Sequence, residues 1–384
     1  MAANRTHTAI AFVGARKPLE AIQVPTVSPK GDEILIRSQF TASTPLDLHR
    51  ADGGLLMKSG DIFGSTTVGV VEEVGPSAAG RLQVGDRVFG WAFQEPRYKG
   101  HQEYVTAPEW MFGKIPENIS SEEAATVSEN LITVFNTMAT DLGLPTPWPK
   151  PENYVPDHAN DPILVWGAAS SVGQFALQVL RWYGYGQILA TASPSHHEYL
   201  RGLGASECFD YRDAGIAQKV LAAASRLHQS GANSDGAAEA IPFIIDCIGS
   251  RDGSLGPIIR GKIAQTGSVV AVMLPVILTH ASPEQVPEYS MDVAEVLGSL
   301  GTAASSGITV KGVRTFFVYN NNPFFKEKLP SEIMPALLAQ GIVTPQRYRL
   351  VEGKNMLERE ENALQQMREG GVSGVKLVWR TLNQ

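Results

Sequence analysis

Residues 161–184 read DPILVWGAASSVGQFALQVLRWYG and are the most informative part of this chain. An apolar run ends at Gly167, small residues continue as far as Gly173, and an amphipathic run follows to Tyr183. This pattern predicts a buried parallel strand, a tight turn and the N-terminus of a helix, where backbone N–H groups and the helix dipole favour a pyrophosphate. A plain packing turn between a strand and a helix is the alternative reading of the motif alone.

Further apolar runs follow this motif at intervals typical of alternating strands and helices. They occupy residues 187–191, the run toward Tyr211, residues 243–249 and residues 267–272. Such alternation predicts an α/β fold with a doubly wound parallel sheet of the Rossmann type.

The residues after the second predicted strand indicate which cofactor binds. An NAD site usually has an acidic residue there to hold the ribose 2′-hydroxyl. This chain instead has Ser193, Pro194, Ser195 and His196. A carboxylate would repel a 2′-phosphate, whereas hydroxyl groups and a histidine can accept one. The sequence therefore predicts NADPH.

Length and composition exclude several classes of protein. A chain of 384 residues has room for two domains with sizeable cores. A net charge of −7 without a basic stripe predicts no nucleic-acid partner. No apolar run reaches the roughly 18 residues of a membrane span, and the N-terminus lacks the apolar core of a signal peptide, so we expect a cytoplasmic protein away from membranes. Cys208 and Cys247 fall in predicted strands and fit reduced thiols that serve packing.

The chain outside the predicted parallel sheet divides into a β-rich part and a connection. Residues 8–125 are β-rich, and the segment 145–162 contains six prolines, which predicts an extended surface connection. The other predicted elements are strands within 33–37, 68–75 and 82–90, a helix end and loop at 225–240, helices at 330–340 and 358–369, and a closing strand at 374–378.

In order and spacing, five segments of the chain resemble the medium-chain dehydrogenase/reductase superfamily over about its full length. They are residues 68–75, 84–90, 167–173, 246–249 and 374–378. The resemblance implies a β-rich GroES-like catalytic domain in two parts, residues 1–127 and 321–384, around a Rossmann domain at 128–320. The chain is most similar to fungal trans-acting enoyl reductases that serve polyketide synthases, through its WGAASSVG turn, its SPSH and DCIGS segments and its proline-rich insertion.

Many relatives in this superfamily bind zinc, which polarises a carbonyl group. Their first catalytic ligand is a cysteine three residues before an aspartate, and here Thr44 precedes Asp47. Their Gly-His-Glu motif corresponds to residues 64–66, Gly-Ser-Thr, and their third ligand falls near Glu129. One carboxylate cannot build a three-ligand site, and residues 90–120 lack the cysteines of a structural zinc lobe. We therefore expect no metal.

Without zinc, the expected chemistry is hydride transfer to the β-carbon of an activated alkene. Negative charge then grows on the carbonyl oxygen, which donors must stabilise, and a proton reaches the α-carbon. Holding the two reactants in position is the largest contribution such a site can make.

The proton donor is not evident from the sequence. Mitochondrial-type enoyl reductases place a tyrosine after the glycine of a loop that reads DGGLL here, at residues 52–56. His49 aligns with the proton-relay histidine of zinc alcohol dehydrogenases, but Leu46 replaces the intermediate hydroxyl. His49 is therefore a candidate acid, with a cofactor contact or a solvent-derived proton as the alternatives. Three weaker candidates are expected to be solvated loop residues, namely Lys58, Tyr98 and Lys99.

Position in the fold implied by the resemblance assigns the remaining contacts. The predicted cofactor-binding residues are Thr44, Pro45, Leu46, Asp47, Leu48, His49, Ser170, Ser171, Val172, Gly173, Ser193, Pro194, Ser195, His196, Tyr211, Ile248, Gly249, Val343 and Thr344. The predicted substrate-lining residues lie on one helix, for which a simple core helix is the alternative: Asn130, Leu131, Ile132, Thr133, Val134, Phe135, Asn136 and Thr137.

Three hypotheses for function follow. The first is a monomeric, NADPH-dependent trans-acting enoyl reductase that acts on a carrier-bound polyketide thioester, with a polyketide synthase as its partner. The second is a stand-alone NADPH quinone or 2-alkenal reductase that acts on small free molecules. The third is a non-redox isomerase, cyclase or scaffold, because a fold does not determine its function. The phosphate turn and the predicted 2′-phosphate site argue against the third.

Overall fold

The structure is a computed structural model that describes residues 5–78, 80–230, 240–282, 284–301 and 306–382. Its strands are β1 (Thr6–Ala11), β2 (Glu20–Pro25), β3 (Glu33–Ser43), β4 (Thr66–Val74), β5 (Arg87–Trp91), β6 (Tyr104–Pro108), β7 (Phe112–Lys114), β8 (Ile163–Trp166), β9 (Ile188–Thr191), β10 (Glu207–Phe209), β11 (Phe243–Asp246), β12 (Val269–Met273), β13 (Val276–Thr279), β14 (Glu288–Ser290), β15 (Thr309–Val313), β16 (Tyr348–Leu350) and β17 (Lys376–Arg380). Its α-helices are α1 (Pro45–Gly53), α2 (Ser121–Ala124), α3 (Ser128–Asn136), α4 (Ser171–Tyr183), α5 (His197–Leu203), α6 (Ile216–Ser230), α7 (Gly256–Arg260), α8 (Val293–Ser299), α9 (Val318–Asn321), α10 (Pro323–Lys328), α11 (Met334–Ala339) and α12 (Met356–Arg368).

The chain forms two compact units. The first comprises Met1–Glu129, Ala281–Pro287 and Tyr319–Gln384, and the second comprises Asn130–His280 and Glu288–Val318. The sequence predicted a single inserted domain at 128–320, and it carried no signal that the short segment Ala281–Pro287 belongs with the first unit.

The second unit is built on a six-stranded parallel sheet with the order β10-β9-β8-β11-β12-β15. The chain reverses its direction of winding between β8 and β11, which is the topological switch point at which α/β proteins bind ligands. Buried apolar residues of the strands and helices form one core, in which Leu164, Leu189 and Ile244 are fully buried. The sheet is the predicted doubly wound one, and β15 is a sixth strand that the sequence did not indicate.

Helix α4 begins earlier than its amphipathic pattern predicted. The pattern indicated a start at Gln174, whereas the helix begins at Ser171 because Ser170 caps it, its hydroxyl accepting the N–H of Gly173 at 3.1 Å. The helix ends where Gly184 adopts a φ of 105° in the left-handed region. The opening turn of α4 therefore consists of the residues that the sequence assigned to the phosphate turn.

The first unit contains a seven-stranded sheet in which β16-β17-β3-β4-β5-β7 are neighbours and β6 pairs with β3. The strand predicted across 82–90 is confined to β5. Residues 83–86 instead form a turn in which the Asp86 carboxylate accepts the Gln83 N–H at 3.0 Å and Gly85 has a φ of 92°. One core of this unit surrounds Ile10, Phe63 and Trp379, all fully buried.

The C-terminal elements complete the first unit. Strand β17 pairs with β3 antiparallel, and helix α12 packs against α1. These two helices are joined by the buried Asp52 carboxylate, which accepts bonds of 2.7–3.0 Å from the Arg368 guanidinium.

The structure describes the proline-rich connection in full and the predicted loop at 225–240 in part. Residues 145–162 contain no helix or strand, and only Pro156 and Pro162 among them are buried. Residues 225–230 continue helix α6, while residues 231–239 of the predicted loop lie outside the described residues. Among the helices of the described chain, none is both long and apolar enough to cross a membrane.

Candidate active site

The phosphate turn of the second unit is shaped by two glycines. Gly167 has a φ of 76°, and its N–H donates to the Thr191 hydroxyl at 3.0 Å. A Cβ on Gly173 would lie 2.6 Å from the Cα of Ala168, so only glycine lets α4 pack this closely on the turn. The first N–H groups of a helix have no carbonyl partner within it, and here they carry the positive end of a 13-residue helix. The residues present therefore fit a dinucleotide pyrophosphate.

The segment after β9 contains no carboxylate between Ser193 and His196. Ser193 begins a short 3₁₀ turn, and both Ser193 and His196 are half-buried. The next residue, His197, places its Nε2 3.0 Å from the Ala192 carbonyl oxygen. The side chain of His197 therefore helps to fix this segment.

A guanidinium that the sequence did not single out follows β10, the strand that neighbours β9. Strand β10 pairs with β9, and after it Arg212 donates to both carboxylate oxygens of Asp210 at 2.9 Å. The Arg212 guanidinium also lies 5.5 Å from the centre of the Tyr211 ring, which is 43% exposed. Its position three residues past the end of β10, the third strand of the sheet in chain order, was the only sequence signal. The Asp210–Arg212 ion pair and the Tyr211 phenol therefore follow the strand next to the segment predicted for the 2′-phosphate.

The end of β11 is held by a buried carboxylate. Asp246 accepts the N–H groups of Ile248 and Gly249 at 3.0 and 3.1 Å and the Ser254 hydroxyl at 2.7 Å. Burial raises the pKa of Asp246 to about 6, against these hydrogen bonds. Gly249 has a φ of 60°, and a Cβ there would lie 2.2 Å from the Met273 carbonyl oxygen. Asp246 thus holds the chain so that Ile248 is exposed just past the carboxyl end of β11, while Gly249 stays buried.

The predicted substrate helix is buried along its whole length. Residues 130–137 have exposed fractions of 0–8%. Within the second unit, the Thr133 and Thr315 hydroxyls are 3.1 Å apart and the Asn136 amide donates to Asp141 at 3.3 Å. Burial raises the pKa of Asp141 to about 7. Fully buried members such as Leu131 serve the core, and contact of this helix with substrate stays a prediction.

The predicted cofactor loop of the first unit is the start of helix α1. The Asp47 carboxylate accepts the backbone N–H of Thr44 at 2.8 Å and its hydroxyl at 3.1 Å, which closes the N-terminus of the helix. Thr44, Asp47 and Leu48 are buried by this arrangement, whereas Leu46 and His49 are half-buried and Pro45 is exposed. Leu46, His49 and Pro45 are therefore the members of the loop with side chains open to a ligand.

The positions that bind zinc in relatives are engaged in hydrogen bonds here. The Ser65 hydroxyl donates to Glu129 Oε2 at 3.0 Å, and the carbonyl oxygen of Thr66 accepts the Thr41 hydroxyl at 2.7 Å. Burial raises the pKa of Glu129, against the nearby charge of Lys376, which is itself buried with a lowered pKa. Hydroxyl groups and one hydrogen-bonded carboxylate do not fit a zinc site. Across the described ranges, no three His, Cys, Asp or Glu side chains converge on a point that could hold a metal.

Two residues that the sequence assigned to solvated loops are not solvated. Tyr98 is 7% exposed, and its hydroxyl donates to Glu95 at 3.2 Å. Burial and the Glu95 charge raise the pKa of Tyr98 to about 12. Lys99 is half-buried, and burial together with the Arg50 cation lowers its pKa to about 8. Both predictions were wrong because the loop packs against the sheet, whereas Lys58 is exposed as predicted.

Comparison with known proteins identifies the family. Residues 30–117 match the alcohol dehydrogenase GroES-like domain. The chain is 28% identical to the trans-enoyl reductase ACTTS2 of Alternaria alternata over 373 residues, which cover 94% of this chain and 95% of that protein. It is 31% identical to the trans-enoyl reductase tazE of Aspergillus terreus over 233 residues, which cover 57% of this chain and 75% of that protein. The chain belongs to the trans-enoyl reductase family.

The solved structures agree with this placement at the level of the fold. A putative zinc-dependent alcohol dehydrogenase from Rhizobium etli superposes with a TM-score of 0.72 at 18% identity, over all of both chains. The protein is thus an oxidoreductase with the medium-chain dehydrogenase/reductase fold, which implies a nicotinamide cofactor. The predicted α/β fold class, with a GroES-like domain, is confirmed.

The C-terminal residues predicted to contact the cofactor differ in exposure. Val343 is buried, and its N–H donates to the Leu337 carbonyl at 3.2 Å, whereas Thr344 is exposed. Of these two residues in this trans-enoyl reductase family member, Thr344 is therefore the one that is exposed to solvent. Cofactor contact by either residue stays a prediction.

Proposed function

We propose that this chain is a trans-acting enoyl reductase that uses NADPH to reduce the α,β-double bond of a thioester carried by a polyketide synthase. The proposal rests on one observation. The chain has a turn at Gly167 and Gly173 that fits a dinucleotide, and it has a Ser65–Glu129 hydrogen bond at the position where relatives bind zinc. With these side chains in place of zinc ligands, the hydride acceptor must be a double bond conjugated with a carbonyl group, because no Lewis acid polarises an isolated carbonyl there. The names of the relatives support the same reaction.

We propose the preference for NADPH from the residues that follow strands β9 and β10. Ser193 and His196 replace the acidic residue of NAD sites, and the Arg212 guanidinium lies one strand away. Charge-assisted hydrogen bonds contribute about 1.5–3 kcal/mol each. One such bond to the 2′-phosphate corresponds to at least about a tenfold preference over NADH.

The residues of this chain have distinct parts in the proposed reaction. When bound, the reduced nicotinamide supplies a hydride for the β-carbon. The opening turn of α4 binds the pyrophosphate, and Asp246 holds the backbone at Ile248 and Gly249 in place for the ribose. We assign to His49 a contact with the cofactor, from the half-buried face of α1.

The partner is proposed from the family alone. Relatives named trans-enoyl reductases imply a synthase that presents the enoyl chain on a phosphopantetheine arm. A carrier-bound thioester is then the substrate, and free quinones or 2-alkenals are the competing possibility.

One assay tests the proposal. Consumption of NADPH and of NADH is measured with a crotonyl thioester, a quinone and a 2-alkenal as acceptors, at equal concentrations. We expect the crotonyl thioester with NADPH to be the fastest pair. Faster turnover of the quinone or the alkenal would establish a stand-alone reductase instead, and no consumption with any acceptor would favour a non-redox function.

A further inference from the structure

The first unit encloses four ionisable side chains whose hydrogen bonding is incomplete. Asp47 and Arg50 lie on α1, His101 precedes β6, and Glu360 lies on α12. Each of these residues is at most 8% exposed. Within the part of the chain that the structure describes, the following buried atoms of the four have no hydrogen-bond partner: Asp47 Oδ1, Arg50 Nε and Nη1, His101 Nε2 and Glu360 Oε2. Buried polar atoms in folded proteins nearly always have a partner, so this group of atoms needs an explanation.

The four side chains form one cluster made of two pairs. His101 Nδ1 lies 2.8 Å from Glu360 Oε1, and Arg50 Nη1 lies 3.8 Å from Asp47 Oδ1. Burial lowers the pKa of His101, the Glu360 and Asp47 carboxylates raise it, and the Arg50 cation lowers it, with a net rise. The two pairs are therefore close enough to interact, although no hydrogen bond among the described residues joins them.

Neighbouring contacts hold Asp47 and His101 in their positions. The second carboxylate oxygen of Asp47, Oδ2, accepts the backbone N–H of Thr44 at 2.8 Å and its hydroxyl at 3.1 Å. The backbone N–H of His101 donates to the Phe63 carbonyl oxygen at 3.1 Å, and its ring packs on those of Phe63 and Trp379. Neither side chain can turn to find a new partner in the protein without breaking these contacts.

A second buried carboxylate on the same two helices shows no such deficit. Asp52 on α1 accepts bonds of 2.7–3.0 Å from Arg368 on α12, and both of its oxygens are engaged. Neither residue contributes a buried atom without a partner. The incomplete hydrogen bonding is therefore specific to the cluster and is not a general property of the contact between α1 and α12.

The chemistry of these atoms determines which group can complete the cluster. The Arg50 nitrogens can only donate hydrogen bonds, whereas the Asp47 and Glu360 oxygens accept them as carboxylates. Nε2 of His101 needs a partner whether it carries a hydrogen or a lone pair. An anion would be repelled by the two carboxylates, and a metal cation by the guanidinium. Water both donates and accepts, and an internal water usually makes two to four hydrogen bonds.

We propose that the cluster binds internal water, which accepts from Arg50, donates to Asp47 Oδ1 and joins both to His101 Nε2. A continuous chain of hydrogen bonds then runs from Glu360 through His101 and the water to Asp47, and on to the Thr44 hydroxyl. Thr44 stands where zinc-binding relatives have their first ligand. The site lies wholly within the first unit and does not depend on the proposed reaction, so either proposal can fail without the other.

A crystal structure of the full chain, at a resolution that shows ordered water, tests the site directly. We expect a fully enclosed water within about 3.2 Å of an Arg50 nitrogen and of at least one of Asp47 Oδ1 and His101 Nε2. Well-ordered side chains with no density between them would overturn the proposal. So would direct hydrogen bonds between the two pairs that leave none of the atoms without a partner.

A double-mutant cycle tests whether water joins the two pairs in solution. Urea unfolding at pH 7 compares the parent, Arg50→Met, His101→Leu and the double variant. If both residues bind the same water, the effect of His101→Leu on the unfolding equilibrium constant should be smaller by about fivefold or more when Arg50 is already replaced. Direct electrostatics predicts the opposite sign, because two cations repel each other and loss of Arg50 would make His101 contribute more.

The matched control uses the other buried pair of the same two helices. Arg368→Met combined with His101→Leu should be additive within about twofold in the unfolding equilibrium constant, because Arg368 is bonded to Asp52 outside the cluster. Absence of coupling between Arg50 and His101, coupling of the opposite sign, or equal coupling in the control pair would each count against a shared water. If the variants fail to fold, the crystal structure of the parent decides alone.

Discussion

The imidazole of His101 and the carboxylate of Glu360 lie 2.8 Å apart, and neither side chain is exposed to solvent. The pair is enclosed by aromatic rings, with Phe63 stacked at 6.4 Å and Trp379 edge-on at 4.7 Å. A Cβ on Gly64 would lie 2.1 Å from the imidazole, so a glycine at that position makes room for the histidine. Burial opposes the charge on His101, but the Glu360 carboxylate outweighs it and raises the pKa of His101.

Loss of His101 and loss of Glu360 should destabilise the protein by different amounts. His101→Leu leaves an isolated buried carboxylate, which costs about 3–5 kcal/mol. Glu360→Leu leaves an imidazole that can release its proton, which costs about 1–3 kcal/mol. The double variant should recover to within about 1 kcal/mol of the parent, since apolar residues of similar volume replace both. Urea unfolding at pH 6 measures all four proteins, and equal costs for the single variants would contradict this account.

The same pair should make stability depend on pH. Because the pKa of His101 is raised in the folded state, its contribution is fully present below about pH 6.5 and is lost as pH rises through the folded value. The free energy of unfolding of the parent, relative to the double variant, should therefore decrease as pH rises above 6.5. If the difference in free energy of unfolding between the parent and the double variant does not change between pH 6 and 9, the protonation of His101 is not linked to folding.

Discrimination between NADPH and NADH should depend on Arg212. Arg212→Gln removes the guanidinium at the predicted 2′-phosphate edge, so NADPH affinity should fall about tenfold or more while NADH affinity stays unchanged. Arg226→Gln is a matched control, because Arg226 also forms an exposed ion pair with a residue of β10, Glu207, at 3.0 Å. Ser193→Asp should reverse much of the preference. Equal affinity of the parent for both cofactors in titration calorimetry would contradict the assignment of NADPH.

The phosphate turn should not tolerate a methyl group at Gly173. The Cβ of Gly173→Ala would lie 2.6 Å from Ala168, so the turn must shift, and overpacking of this kind costs about 1–3 kcal/mol. Cofactor affinity should fall by at least a factor of 100. Gly202→Ala is the control, because a Cβ there meets nothing within 4 Å, and on helix α5 it should stabilise the protein by about 0.5–1 kcal/mol. Thermal unfolding and cofactor titration of both variants provide the comparison.

The second unit was predictable because its signals are local. The strand, turn and helix of the phosphate site lie within residues 161–184, and the spacing of Gly167 and Gly173 is visible in the sequence. Strand β15 was missed, since its outer side is partly exposed and its pattern, TVKGV, is too short to stand out.

The buried charges of the first unit were not predictable, because the partners of each pair are far apart in the sequence. His101 and Glu360 are separated by 259 residues, and Arg368 and Asp52 by 316. Each of these residue types is usually found on a solvated surface. Only the folding of the C-terminal helix against the N-terminal part of the first unit brings the partners together. Lys99 belongs to the same class, because its burial follows from packing that no local pattern indicates.

Activity should require no metal. Elemental analysis of the purified protein should find well under one zinc per chain, and incubation with a chelator should leave turnover unchanged. The physical reason is the donor set, in which Thr44 and Ser65 hydroxyls have replaced the ligands and the Glu129 carboxylate is already hydrogen-bonded. Stoichiometric zinc, lost together with activity on chelation, would show that these positions were aligned incorrectly.

Delivery by a carrier should matter more than the length of the enoyl chain. A groove that admits a flexible thioester has mostly apolar walls, and each methylene changes binding by only about 1–3 kcal/mol. Short enoyl thioesters should therefore be reduced at a measurable rate, and longer or methylated chains more efficiently. The same chain on a carrier protein should show a higher kcat/KM than on a small thiol, because the carrier adds contacts remote from the double bond. Steady-state kinetics with matched acyl chains on both thiols measure this difference, with the carrier protein added in trans to the small thioester as the control. Equal kcat/KM for the two forms would show that the protein acts on free thioesters and does not depend on a synthase partner.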